Sequence, residues 1–146
     1  MPNPNIAQGT LNRLLASVNW NDAPELNVIP SFLNRGGISL SFDGEATKFF
    51  PTMTGTVTSN EPFQMITLRI SLLKTQSLGA NYEARKRSNS VIGTGTVRPD
   101  VSEGIEPFDV LNCAIENVDE LNFSGEDPGY TVIIRGYVSI NNDLWP

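Results

Sequence analysis

The chain has 146 residues, 39% of them apolar and 18% charged, which suffices for one compact domain over residues 1–146 and is too short for two ordinary ones. It contains no histidine and one cysteine, which excludes Ser-His-Asp triads, His-based acid–base catalysis, most zinc sites, an internal disulfide and a CxxC redox pair. The formal net charge of −6 is unevenly placed, for residues 1–98 carry nine bases and six acids, whereas residues 99–146 carry Arg135 against ten acids.

Such an imbalance has two readings. Acidic loops can simply keep a domain soluble. Alternatively, a basic end and an acidic face let copies attract head to tail, or line a surface with negative charge.

In chain order, Met1-Pro2-Asn3-Pro4-Asn5 lacks the basic and apolar regions of a secretory signal. Residues 1–9 are therefore expected to be a flexible arm on a chain made in the cytoplasm. No stretch holds the roughly 18 unbroken apolar residues of a membrane span, so no membrane anchoring is expected. Thr10–Val18 reads as a first strand, and Gly37–Phe42 as a second, with Ile38, Leu40 and Phe42 inward and Ser39 and Ser41 outward. Asp43-Gly44 signals a turn. A loop is expected from Asp43 to Thr52, holding Lys48, Phe49, Phe50 and Pro51. Adjacent Phe49 and Phe50 point to opposite sides of an extended chain, so either both tuck into the core or one seeks a partner.

A strand is expected at Met53–Thr58, closed by Ser59-Asn60-Glu61-Pro62. The clearest alternation runs from Phe63 to Leu73, with Ile66, Leu68, Ile70 and Leu72 on one face and Thr67, Arg69 and Ser71 on the other. Thr75–Asn89 breaks this period. Leu78 and Tyr82 share a helical face, and Arg85, Lys86 and Arg87 suit the negative end of a helix dipole. A short helix over about 75–89 is predicted. Its basic cluster can be a solvated helix end, a dock for an acidic patch on a neighbouring subunit, or a nucleic-acid contact.

Strands follow at Gly93–Arg98, Phe108–Glu116 and Thr131–Ile140, the last with Val132, Ile134, Val138 and Ile140 inward. Cys113, set in Val110-Leu111-Asn112-Cys113-Ala114-Ile115, reads as a small buried hydrophobe. Enzyme motifs are weak. Gly93-Thr94-Gly95-Thr96 lacks the spacing and lysine of a phosphate loop. Asp100, Glu103 and Glu106 sit among Pro99, Gly104 and Pro107 as a solvated loop, and Asp119-Glu120 and Glu126-Asp127 lack EF-hand spacing. No catalytic, cofactor or metal residue is assigned.

The order of elements carries a resemblance. Gly36-Gly37-Ile38-Ser39-Leu40-Ser41-Phe42-Asp43 leads to Gly55-Thr56-Val57-Thr58. Leu68-Arg69-Ile70-Ser71-Leu72-Leu73-Lys74-Thr75 then runs into the helix. A second glycine-threonine strand, Asp109-Val110-Leu111-Asn112-Cys113-Ala114 and Gly129-Tyr130-Thr131-Val132-Ile133-Ile134-Arg135-Gly136-Tyr137 follow. This pattern, over roughly Gly36 to Tyr137, resembles tail tube proteins of contractile-tailed bacteriophages. Residues 1–35 fall outside it and are expected to form an extension.

The resemblance implies a mainly β fold, a β-sandwich or barrel-like core with one short flanking helix. It implies hexameric rings stacked into a tube inside the virion tail, assembled in the host cytoplasm, through which DNA passes without sequence-specific binding. Expected partners are further copies of the chain and the tail sheath, tape measure, baseplate and tail terminator proteins. The expected subunit interface comprises Lys48, Phe49, Phe50, Arg85, Lys86 and Arg87. Thr54, Thr56, Thr67 and Ser71, small and polar at outward positions, are the expected channel-facing residues. Two other readings are the inner tube of a contractile injection system and a β-sandwich binding module. The latter calls for an aromatic platform, whereas Trp20 and Trp145 lie near opposite ends of the chain.

Overall fold

A computed structural model describes residues 16–99, 106–119, 121 and 123–144. The expected arm 1–9, the carboxylates Asp100, Glu103 and Glu120, and Trp145 lie outside them. The elements are β1 (Ala16–Trp20), 3-10 turns at Pro24–Leu26 and Pro30–Phe32, β2 (Leu33–Phe42), β3 (Thr47–Pro51), β4 (Thr56–Asn60), β5 (Phe63–Leu73), α1 (Leu78–Ser88), β6 (Val91–Pro99), β7 (Phe108–Val118) and β8 (Gly129–Ser139). Six strands pair antiparallel in the order β1-β6-β7-β8-β5-β2, and β3 and β4 form a separate two-stranded sheet. The six-stranded sheet curls into a half-barrel. The fold is therefore mainly β and barrel-like, with one flanking α-helix among the described residues.

Alternation puts one face of each strand inside the curl. Ile66, Leu68, Ile70 and Leu72 are fully buried, as are Val132 and Ile134 on the neighbouring strand. Burial of such a side chain contributes about 1.5–3 kcal/mol, so a one-residue slip of β5, which would turn that whole row to water, is strongly disfavoured. Curvature comes from irregular pairing. Registers shift between Leu33 and Ile38, between Val91 and Gly95, and between Leu111 and Ala114. Left-handed backbone at Gly37 (φ 63), Gly93 (φ 101) and Asn112 (φ 50) accompanies the shifts. Bulges of this kind sharpen strand twist and bend the sheet.

Residues 16–35 are not an extension. The segment Asn21–Phe32 links β1 to β2, which lie at opposite borders of the sheet, and it carries buried Ala23, Leu26 and Val28. Trp20 is buried beside them, and its Nε1 donates to Tyr82 Oη (3.1 Å), which itself donates to the Leu26 carbonyl (2.7 Å). Proline at the first position of each 3-10 turn gives up a backbone N–H that such a turn leaves unpaired anyway.

Element boundaries also move. The helix begins at Leu78 rather than Thr75, and Leu78, Gly79 and Tyr82 face the core. Gly79 packs against the Tyr130 ring, which a Cβ there would meet at an ordinary contact distance of 3.4 Å. The expected loop at 43–52 contains β3, and the strand expected at Met53–Thr58 is β4, shifted to Thr56–Asn60. Met53 instead sits at the tip between them.

Candidate subunit interface

The β3–β4 hairpin is built by its own short-range bonds. Register pairs Thr47 with Asn60, Phe49 with Thr58, and Phe50 with Val57. Thr52 N–H donates to the Gly55 carbonyl (2.7 Å), and Gly55 N–H returns a bond to Thr52 Oγ1 (3.1 Å), closing a tight tip. Lys48 meets Glu61 at 3.5 Å. The root is fixed to the body by Asn141, whose Nδ2 donates to the carbonyls of Ala46 (3.2 Å) and Glu61 (2.8 Å). Gln64 Nε2 adds a bond to the Gly44 carbonyl (2.6 Å). Beyond this root, no hydrogen-bonded ladder joins the hairpin to the six-stranded sheet.

What it displays is apolar. Phe49 is 64% exposed, Phe50 52%, Val57 55% and Met53 101%. Paired residues in an antiparallel ribbon share a face, so Phe50 and Val57 occupy one side, Phe49 and Pro51 the other, and Met53 the end. Both phenylalanines are thus open to solvent, and neither tucks into the domain core. Isolated two-stranded ribbons are marginal in water, and clustered exposed hydrophobes mark interaction surfaces.

A groove opens between the sheet borders. The Cα atoms of β1 and β2 come within 8 Å of one another, yet the two strands are not paired. Where they diverge lies a cavity of about 340 Å³ with Ala16, Val97 and Pro99 on one wall and Arg35, Gly36, Gly37, Ile38 and Leu40 on the other. Glu106 and Phe108 complete its lining; Phe108 pairs with Val97 and meets Phe42 edge-on at 5.8 Å. The groove explains why Ile38 and Leu40, inward by pattern, are only half-buried. The β1 border is partly capped by its own chain, through reciprocal N–H···O bonds between Val18 and Val28 (3.0 and 2.8 Å). The β2 border has no partner strand among the described residues.

The four threonine and serine positions expected on a channel fall into two groups. Thr54 lies at the hairpin tip and Thr56 in β4. Thr67 and Ser71 lie on the outer face of β5, beside ion-paired cations. Arg69 reaches Asp119 (3.7 Å), and Arg135 reaches both Asp43 (3.1 Å) and Glu116 (3.4 Å). The Thr67 hydroxyl also donates to Asp43. That bond, followed by those from Arg135, holds the Asp43 carboxyl below its usual range.

The basic cluster of α1 is engaged within its own chain. Arg85 meets Glu25 (3.4 Å) and donates to the Val91 carbonyl (2.9 Å). Glu83, in mid-helix, accepts from Lys86 (3.1 Å) and Arg87 (3.2 Å) and from Tyr130 Oη (2.9 Å). Bonds from Lys86 and Tyr130 depress the Glu83 carboxyl. Only the Arg87 side chain, 78% exposed, keeps its charge well out in solvent.

Cys113 is buried, and desolvation pushes its thiol up to about 12, so it packs rather than reacts. Among the described residues no cluster of His, Cys, Asp and Glu could hold a metal ion, and no helix is long and apolar enough to cross a membrane. The sequence matches no protein-family model and no curated protein.

Proposed function

We propose that this chain is a self-assembling structural subunit, the tail tube protein of a contractile phage, whose copies form hexameric rings stacked around a DNA conduit. The observation that carries this reading is the projecting hairpin, with four large apolar side chains and, among the described residues, no further strand beside it. A monomer gains nothing from such an element. An assembler uses it to bury surface against the next copy.

The open β2 border supports the same reading. Leu33–Phe42 is ten residues long and carries one charge, Arg35. Long, weakly charged borders aggregate unless they are paired or covered, and pairing around a ring removes them. The acidic bias has a place too: Asp109, Glu116, Asp119, Glu126 and Asp127 are all exposed. A wall rich in such groups does not hold DNA by counterion release, so the duplex slides. The binding-module reading loses an anchor, because Trp20 is buried and hydrogen-bonded rather than displayed. In the proposed particle the sheath surrounds the tube, the tape measure protein occupies it before DNA, and baseplate and terminator proteins meet its ends.

Purified protein at high concentration is expected to form rings or tubes under negative-stain microscopy. Phe49→Ser/Phe50→Ser is expected to abolish them. Taking ~200 Å² for a fully exposed phenylalanine, the pair offers about 230 Å² to a neighbour, worth about 6 kcal/mol before association costs. Since neither ring supports the core, the thermal midpoint of the double variant should stay within ~2 °C of wild type. A strictly monomeric wild type, or normal tubes from the variant, refutes the assignment of this hairpin.

A further inference from the structure

We infer that the groove between the two sheet borders receives the β3–β4 hairpin of a second copy, an inference that rests on the self-assembly reading and names its contact. The same chain carries an apolar projection and an apolar cleft, and no residue of the hairpin lines the cleft of its own molecule. The cleft wall at Ile38, Leu40 and Phe108 is a part of the inner face that the described residues leave uncovered. A cavity of about 340 Å³ falls within the range of about 300–1,000 Å³ typical of sites that enclose a compact apolar group. One or two of the hairpin's large side chains suit it.

Charges agree in sign. The cleft carries Arg35 and Glu106, and the hairpin segment carries Glu45 and Lys48. Among the described residues neither Arg35 nor Glu106 has an ion pair of its own. Lys48 is already held by Glu61 at 3.5 Å, so Glu45 at the hairpin root is the charge left to meet Arg35. The free backbone edge of β2 adds donors and acceptors for a strand laid beside it, as in β-augmentation.

Area decides how the contact is used. Phe49, Phe50, Met53 and Val57 together expose about 500 Å², taking ~200 Å² for a full aromatic or methionine surface. A stable pair commonly buries about 800 Å² on each partner. One hairpin in one cleft is therefore a weak dimer. A subunit that gives its hairpin to one neighbour and receives another in its cleft covers enough surface to hold, and hand-on contacts of this kind generate rings or filaments.

The test uses full-length chains and two readouts. Met53→Cys and Ile38→Cys are prepared separately, mixed and mildly oxidised; Cys113 is buried and does not compete. A disulfide joining one Met53→Cys chain to one Ile38→Cys chain is expected, at least tenfold above that formed with a Thr75→Cys control. Ile38→Lys, by placing a cation in the cleft, is expected to weaken self-association at least tenfold by sedimentation velocity. If Ile38→Lys fails to fold, the disulfide decides alone. A wild type that assembles, an Ile38→Lys chain that assembles equally well, and no mixed disulfide together overturn the cleft and leave self-assembly standing. The cleft then belongs to another occupant, such as residues 1–15 of the same chain. A wild type that stays monomeric and yields no mixed disulfide overturns both.

Discussion

Replacing Tyr82 by Phe removes one oxygen atom and tests what holds the β1–β2 connection to the helix. That oxygen is buried, accepts from Trp20 Nε1 at 3.1 Å and donates to the Leu26 carbonyl at 2.7 Å. Burial raises the Tyr82 hydroxyl far above its ordinary pKa, so it stays protonated and keeps donating throughout the working range. In Tyr82→Phe the indole N–H and the Leu26 carbonyl both lose their partner without gaining water. Each orphaned buried group costs about 1–3 kcal/mol, partly offset by the more apolar ring, for a net loss of about 2–4 kcal/mol. Against a typical domain stability of about 5–15 kcal/mol the loss is large. Urea titration followed by far-ultraviolet circular dichroism should show the midpoint falling by about 1–2 M at an unchanged slope, for a slope near 2 kcal/mol/M. A drop under about 0.5 kcal/mol would mean that water reaches both groups, and the buried bridge would then contribute little.

Two further outcomes are expected. Gly95→Ala places a Cβ 2.8 Å from Trp20 Cζ3 and 2.9 Å from the Asn19 carbonyl oxygen, so overpacking should cost about 1–3 kcal/mol. Gly55→Ala, with nothing within 4 Å, should cost far less, and equal losses in a urea titration would refute this account of Gly95. Asp43 has a depressed pKa in the folded chain, from the Thr67 and Arg135 bonds. Its contribution is therefore complete above the unfolded value near 3.8 and fades as pH falls below it. The thermal midpoint should drop as pH falls below about 4, and drop less in Asp43→Asn; identical profiles would exclude a role for this group.

What could be read from residues alone follows the physics of periodicity. β5 and β8 were legible because one face is wholly buried, which forces strict alternation at Ile66, Leu68, Ile70 and Leu72. The helix was legible from Leu78 and Tyr82. β3 was not: Lys48-Phe49-Phe50-Pro51 has no polar-apolar alternation, because neither face of the hairpin meets a core. The segment 21–32 resisted reading for the opposite reason. Ala23, Leu26 and Val28 are buried from irregular backbone, so their spacing follows no period. Of the interface, Phe49 and Phe50 stood out as adjacent aromatics, whereas Met53 and Val57 were hidden inside a strand placed too early. The cleft had no local signal at all, since Ile38, Val97 and Phe108 meet only through the order of strands in the sheet.

The connection from Asn21 to Phe32 does for the sheet what a string does for a bow. It ties the first and last strands of the row across the hollow, with Val28 knotted to one limb and Leu26 lashed to the helix. Tension in a string of fixed length sets how far the limbs can spread, and here that spread is the width of the mouth. Slack introduced at Asn27, three or four glycines long, should let the limbs part without unfolding the bow. The opening beside Ile38 and Phe108 would then widen while every ladder in the sheet stayed strung.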